Sequence, residues 1–277
     1  MLEETREVPS DYVSKNSFVI EGNGDDDMGY YYERGKEKWI CYQSVCDFYI
    51  HPEEYLIEGY YREEEHLELA LLYLLSDCLS AYLRSVGQYM FHAASVMYDG
   101  KSMVFSTFKG GGKSTLLSSL CNCGGKVITD DLTSVLLTDQ GIHIQSSFPN
   151  VKLNSGQYEL ANEFIKEAKP VLKGSLKKNC TLKQEFFADG VHKLDRFYII
   201  NPVTYDQPIR VRKLDLAEGF VFLIQCIFSG TTASDEEIIF YQKVIKRMLS
   251  EGLVFQVDIP RDLSLIPDVI DVVTHYI

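Results

Sequence analysis

Thr107-Phe108-Lys109-Gly110-Gly111-Gly112-Lys113-Ser114-Thr115 sets three glycines directly before a lysine and two hydroxyl residues. Consecutive glycines let backbone N–H groups turn inward around phosphate oxygens, at φ values that a Cβ resists. Lys113 can then reach a β- or γ-phosphate, and the Ser114 hydroxyl can bind Mg²⁺. A strand-like run, Met103–Thr107, precedes the loop and an apolar helical pattern, Ser114–Cys121, follows it. That is the context a phosphate loop requires, with the positive end of the helix facing the anion. One position departs from G-x-x-x-x-G-K-[ST]: Thr107 stands where the first glycine belongs. The chemistry expected of residues 107–115 is nucleotide binding.

A second constellation, Asp130-Asp131, closes the run Lys126-Val-Ile-Thr129. A helix of about eight residues rises roughly 12 Å, and a return strand of about five covers roughly 15 Å. The chain can thus bring two carboxylates back beside the loop, 17 and 18 residues after Lys113. Adjacent acids at a phosphate–Mg²⁺ site suit a division of labour. One of them can take the proton of an incoming hydroxyl, and the other can hold the metal, directly or through water. His92, in Met90-Phe-His-Ala-Ala-Ser-Val96, lies at the start of the strand before the loop, where it can assist proton handling. Lys152 is a further candidate for phosphate or substrate. Lys166, Lys169, Lys173, Lys177, Lys178 and Lys183 read mainly as a solvated face on a flap, and Arg210 and Arg212 lack positional support.

These groups need elements to hold them. Residues 1–62 are β-rich and irregular, with aromatic and β-branched clusters broken by glycines and acids. From Glu63 to Val86, apolar residues recur at spacings of three and four, which predicts a long helix capped by Gly87. After it come a hairpin about Asp99-Gly100, the phosphate loop and its helix, a strand to Asp130, and a hairpin about Asp139-Gln-Gly141. Residues 157–187 read as helical in part. A strand at Arg196–Ile200, helices near Leu214–Phe228 and Asp235–Ser250, a strand at Leu253–Asp258 and a closing helix from Leu263 complete the pattern. Two regions follow, an acidic β-rich part with its linking helix (1–87) and a phosphate-loop domain (88–277).

The charge divides in the same way. Residues 1–87 carry 19 acids and 7 bases, net −12, against 21 and 20, net −1, in 88–277. Such a chain lacks the basic face that nucleic acid or an anionic membrane demands. The acidic excess suits docking of a basic peptide segment, or simple solubility. Seven cysteines, an odd number without C-x-x-C, read as buried free thiols of a reducing compartment. The N-terminus has no apolar h-region, and no apolar run reaches the ~18 residues of a membrane span. A cytoplasmic protein is expected.

From Phe91 to Asp131 the order is His-Ala strand, Asp-Gly hairpin, phosphate loop, short helix, and strand ending in Asp-Asp. This resembles the C-terminal domain of HPr kinase/phosphorylase. It is closer still to the HPr-kinase-like tailoring kinases of lasso-peptide and other ribosomal peptide (RiPP) clusters, which share a β-rich N-terminal part and a long helix. Phe148-Pro-Asn-Val-Lys-Leu153 and Val257-Asp-Ile-Pro260 resemble later segments of those proteins. The resemblance implies an α/β fold of the HPr kinase/PEP carboxykinase-like type, with a mixed sheet around the phosphate loop. It also implies an ATP- and Mg²⁺-dependent kinase acting on a Ser or Thr hydroxyl of a peptide or protein, such as a lasso-type precursor. Carried over by position, Lys113 and Ser114 match the phosphate and metal pair. Asp130 matches the catalytic base, Asp131 its acidic partner and His92 the active-site histidine. The Glu-Ile-Arg-Gly signature of the bifunctional enzymes is missing, which leaves the phosphorylase direction open and argues against HPr as substrate. The family also allows a homo-oligomer. A small-molecule hydroxyl as acceptor, or a nucleotide-binding regulator without catalysis, are the alternatives.

Overall fold

A computed structural model describes residues 18–21, 28–34, 36–42, 44–107, 111–154, 157–158, 161, 163–172, 174–228 and 233–276. Phe108, Lys109, Gly110, Lys173 and the acidic run Asp25–Asp27 lie outside them. The chain forms two units, Met1–Gln88 with Ser229–Glu237, and Tyr89–Phe228 with Ile238–Ile277.

In the first unit, β1 (Phe18–Glu21), β2 (Met28–Arg34), β3 (Glu37–Tyr42), β4 (Cys46–His51) and β5 (Leu56–Tyr61) form an antiparallel meander. Successive side chains alternate faces. Ile40, Tyr42, Phe48 and Ile50 therefore share one side, where they meet Ala70, Tyr73, Cys78 and Ala81 of the long helix. Trp39 and Cys41 share the other, where Trp39 stacks on Tyr49 with ring centroids 5.1 Å apart. The helix is built from α1 (Leu67–Tyr73) and α2 (Leu79–Ser85), joined by a π-turn at Leu74–Cys78. Gly87 ends it at φ +80°, with Gln88 N–H donating to Leu83 C=O, as the glycine cap predicts. One expectation needs correction. By length and composition Glu64–Ser85 is apolar enough to cross a membrane, because its acids crowd at one end and leave a long apolar stretch. Four of its residues nevertheless pack into the sheet core.

The second unit contains a mixed six-stranded sheet in the order β17-β18-β16-β8-β7-β9. Its strands are β7 (Ala94–Tyr98), β8 (Lys101–Ser106), β9 (Lys126–Thr129), β16 (Arg196–Val203), β17 (Arg210–Lys213) and β18 (Val254–Pro260). β8, β16 and β18 are parallel; β7, β9 and β17 are antiparallel to their neighbours. Alternation along β8 sends Met103 and Phe105 to one face and Val104 to the other. The first face is covered by α3 (Lys113–Asn122), through Leu116, Leu117 and Leu120, together with Val269, Ile270 and Val273 of the C-terminal helix. The second is covered by α4 (Leu216–Gln225), α5 (Asp235–Ser250) and a four-stranded sheet, β15-β11-β10-β6. That sheet comprises β6 (Tyr89–His92), β10 (Leu132–Thr138), β11 (Gly141–Gln145) and β15 (Val191–Lys193). The hairpin β7–β8 turns on Asp99 and Gly100, at φ +47° and +73°, the pair of positive φ values a tight two-residue hairpin needs.

Two expectations change here. His92 does not start the strand before the loop. It ends β6, and the chain passes at Ala93 from the four-stranded sheet to the six-stranded one. Within 157–187, expected to be helical in part, helix is confined among the described residues to 157–158 and a short turn at Gln184–Phe186, while β13 (Ile165–Pro170) and β14 (Lys177–Leu182) join β12 (Asn150–Asn154) in a three-stranded sheet. The reason is period-two burial: Cys180 and Leu182 point into the core while Lys177 and Asn179 do not.

In the first unit, Arg84 donates to Glu237 through Nη2 and Nε at 2.6 and 3.1 Å, and the glutamate side chain is 2% exposed. Removing one partner leaves a buried charge. Arg84→Ala is expected to cost about 3–5 kcal/mol, and adding Glu237→Gln should recover much of it in a thermal-unfolding cycle.

Candidate active site

β8 delivers the chain into the glycine loop, and Gly112, at φ +92°, turns it into α3, whose first residue is Lys113. Thr107 fills the place of the missing first glycine and is itself buried. Its Oγ1 lies against Gly111, so that an ideal Cβ there would stand 1.9 Å from it. Thr107 thus makes Gly111 obligatory. The same hydroxyl has no hydrogen-bond partner among the described residues.

The return strand β9 ends at Thr129, and the two acids follow in a tight turn. Asp131 sits at φ +63°, a left-handed conformation that Asp tolerates better than most residues. Three contacts hold this turn. Leu132 N–H donates to Asp130 C=O at 2.8 Å, and Ala93 N–H to Asp131 C=O at 3.0 Å. The register of β10 on β6 sets Leu132 opposite His92. The tie to Ala93 therefore positions His92 and both aspartates together, through the residue at which the chain changes sheets.

A third segment completes the site. Ser147 N–H donates to Ile128 C=O, and Thr129 Oγ1 lies 2.6 Å from Ser147 Oγ. The chain is thereby led along β9, and β12 runs back past the acids. Lys152 N–H then donates to Asp130 Oδ2 at 2.8 Å, while Lys152 Nζ pairs with Asp131 Oδ2 at 3.1 Å. Asp130 Oδ1 is buried with no partner among the described residues.

The two carboxyls titrate apart. Burial first, then the Asp131 charge, push Asp130 up to about 6, against the Lys152 N–H bond and the Lys152 and Lys177 charges. Asp131 is also opposed by burial, yet the Lys152 and Lys177 charges hold it below the usual carboxylate range. Burial and the Lys113 charge keep the His92 imidazole neutral more readily than a free one. Burial also lowers Lys113, although both aspartates resist the change. One carboxyl is poised to exchange a proton near neutrality, and its neighbour stays ionised. This separation is how paired acids divide roles.

The structure thus brings His92, Lys113, Asp130 and Asp131 within one electrostatic neighbourhood, with Ser114 beginning α3 beside Lys113. Thr115 Oγ1 accepts from Gln157 Nε2 at 2.8 Å. Lys152, a candidate in the sequence, is in direct contact with both acids. Lys177 is exposed, as read there, and its charge reaches His92, Lys113 and both aspartates because β14 pairs with β12. Arg212 is elsewhere, pairing with Glu218 at 2.7 Å. The residues fit a nucleotide and a divalent metal. A Cβ at Gly112 would meet open space, Asp130 Oδ1 is buried and unpartnered among the described residues, and the donor set is hydroxyl and carboxylate oxygen, which Mg²⁺ prefers.

No family model matches the chain, and no curated protein does. Among solved structures, the Hpr(Ser) kinase/phosphatase from Coxiella burnetii aligns with a TM-score of 0.33 and 11% identity. The alignment covers 66% of this chain and 93% of that one. A score of that size leaves the chemistry to be argued from this chain's own residues.

Two outcomes follow from the geometry. Gly111→Ala is expected to cost about 1–3 kcal/mol, the price of overpacking. With Thr107→Gly in the same chain, the loss measured by thermal unfolding should be smaller than the sum of the singles. In the metal-free protein, infrared or carbon-detected NMR titration should find the Asp130 carboxyl near 6. Lys152→Met should move it higher by removing a positive charge, and Asp131→Asn should move it lower by removing a negative one.

Proposed function

We propose that residues 88–277 form an ATP- and Mg²⁺-dependent phosphotransferase that acts on a Ser or Thr hydroxyl of a peptide or protein. A ribosomally made, lasso-type precursor is the acceptor class its sequence motifs favour. The observation that carries the reading is the buried, half-partnered Asp130, raised in pKa and set beside Lys113 of a glycine loop. A structural ion pair has no need of such a carboxylate, whereas a general base does.

Ser114 and Asp131 would hold the metal, and residues 107–115 would cradle the nucleotide. Bound there, the pair supplies the phosphoryl group and offsets the charge on its oxygens. Asp130 Oδ1 accepts the acceptor hydroxyl proton, and the Lys152 N–H bond fixes the orientation of that carboxyl. Lys152 keeps Asp131 ionised, which leaves Asp130 as the member of the pair able to change protonation. Lys113 and Lys177 supply positive charge where negative charge develops. Neutral His92 stands close enough to relay or orient a proton. The chain is expected to work in the cytoplasm, without nucleic acid.

Asp130→Asn tests this. Transfer to a Ser- or Thr-containing acceptor should fall by about 10²–10⁴-fold, with nucleotide affinity by calorimetry within a few-fold of wild type. Undiminished transfer would remove Asp130 as the base. Nucleotide binding without transfer to any acceptor, in wild type and variant alike, would favour a nucleotide-binding regulator.

A further inference from the structure

Ser118 and Thr115, a turn apart on α3, use their hydroxyls differently. Ser118 Oγ donates to Ser114 C=O at 2.8 Å, the back-bond to the preceding turn that Ser and Thr make inside helices. Thr115, the third residue of the helix, makes no such bond among the described residues; its Oγ1 instead accepts from Gln157 Nε2 at 2.8 Å. A hydroxyl has one hydrogen to give and two lone pairs to offer. Thr115 has filled a lone pair and still holds its hydrogen.

A third group fixes the direction of that bond. Asn154 N–H donates to Gln157 Oε1 at 3.0 Å. A backbone N–H can only donate, so the amide must turn its oxygen to Asn154 and its NH₂ to Thr115. With the amide reversed, two donors would face each other at Asn154, and Thr115 would give its hydrogen to the glutamine. Asn154 closes β12, two residues after Lys152, whose contacts with Asp130 and Asp131 hold that strand at the site. Gln157 thus reaches from the end of the strand that carries Lys152 to the first turn of α3, where Lys113 and Ser114 stand.

We propose that Gln157 is a positioning residue for the nucleotide: by donating to the Thr115 oxygen, it keeps the Thr115 hydroxyl hydrogen for a phosphate oxygen. This role rests on the phosphotransferase reading for its nucleotide, and it lies outside residues 107–115. Gln157 acts through Thr115 and need not touch the ligand. A glutamate in its place would do the opposite. Its carboxylate still accepts from Asn154 N–H, but it can only accept from Thr115 too, and so draws the hydrogen away from the phosphate. Methionine, of similar length, offers no donor and leaves the hydroxyl free to rotate.

The test is a double-mutant cycle read by calorimetry with Mg²⁺ and ADP, which needs no acceptor. Thr115→Val should weaken binding by about tenfold or more, the worth of a hydrogen bond to a charged group. Gln157→Met should weaken it by about 3–10-fold, and Gln157→Glu by more. In the Thr115→Val background, Gln157→Met should change affinity by less than about twofold, and the Gln157→Glu penalty should shrink by about threefold or more. Thermal unfolding of the nucleotide-free variants checks the fold. Gln157→Glu keeps the Asn154 bond and carries the test alone if the methionine variant does not fold. A tie that merely holds the strand end predicts equal losses in both backgrounds, or a glutamate variant as good as wild type. Either result, or unchanged affinity in Thr115→Val or Gln157→Met, would overturn the proposal. A wild type that binds no nucleotide would remove both the proposal and the reading beneath it. A wild type that binds nucleotide but phosphorylates no acceptor would remove only the transfer, and the cycle would still decide the role of Gln157.

Discussion

Two carboxylates on successive residues cannot both stay ionised in a half-buried pocket unless cations face them. Here Lys152 meets that demand from a separate sheet, with its ammonium on Asp131 and its backbone N–H on Asp130. Coulomb energy between unit charges at 3–4 Å is several kcal/mol at the effective dielectric of a partly buried site. Much of the surrounding architecture serves this arrangement. β9 delivers the acids, the tie between Ser147 and Ile128 turns the chain back, and the three-stranded sheet fixes Lys152 and brings Lys177 near.

The second organising feature is the change of sheets at Ala93. A single continuous strand would send His92 and the residues beside it to fixed faces of one sheet. Splitting the strand lets β6 pair with β10 while β7 pairs with β8 and β9. The Ala93 amide is thereby free to bind Asp131, and Thr133 Oγ1 reaches Ala93 C=O at 2.9 Å. Backbone groups that a broken strand would leave unpaired become the fastening of the acidic turn.

Local signals were legible in the sequence. Asp99-Gly100 marked a hairpin, the three-four repeat marked the long helix, and the apolar run after Lys113 marked α3. The Asp130-Asp131 pair was found from reach alone, and Lys152 was read as a contact for phosphate or substrate rather than as the partner of both acids. What escaped was non-local. Lys177 joins the site only through a strand pairing, and 165–182 hides its period-two pattern under lysines that suggest a surface helix. The split at Ala93 also has no local mark, because Phe-His-Ala-Ala-Ser-Val suits one strand as well as two. Nor does the sequence show that Thr107 fills the space over Gly111, for that depends on a contact across the loop.

The parallel pairing of β8 with β16 has a consequence during synthesis. β8 ends at Ser106, and its neighbour begins at Arg196, with β18 later still. At ribosomal rates of about 5–20 residues per second, roughly 5–20 s pass between them. During that time one edge of the strand that feeds the glycine loop lacks its partner, and its Met103–Phe105 core run is open to misplaced pairing. Loop and acids are translated early, but the platform beneath them closes only when the last third of the chain arrives. Truncation before β16 would leave the strand that feeds the glycine loop without its parallel partner.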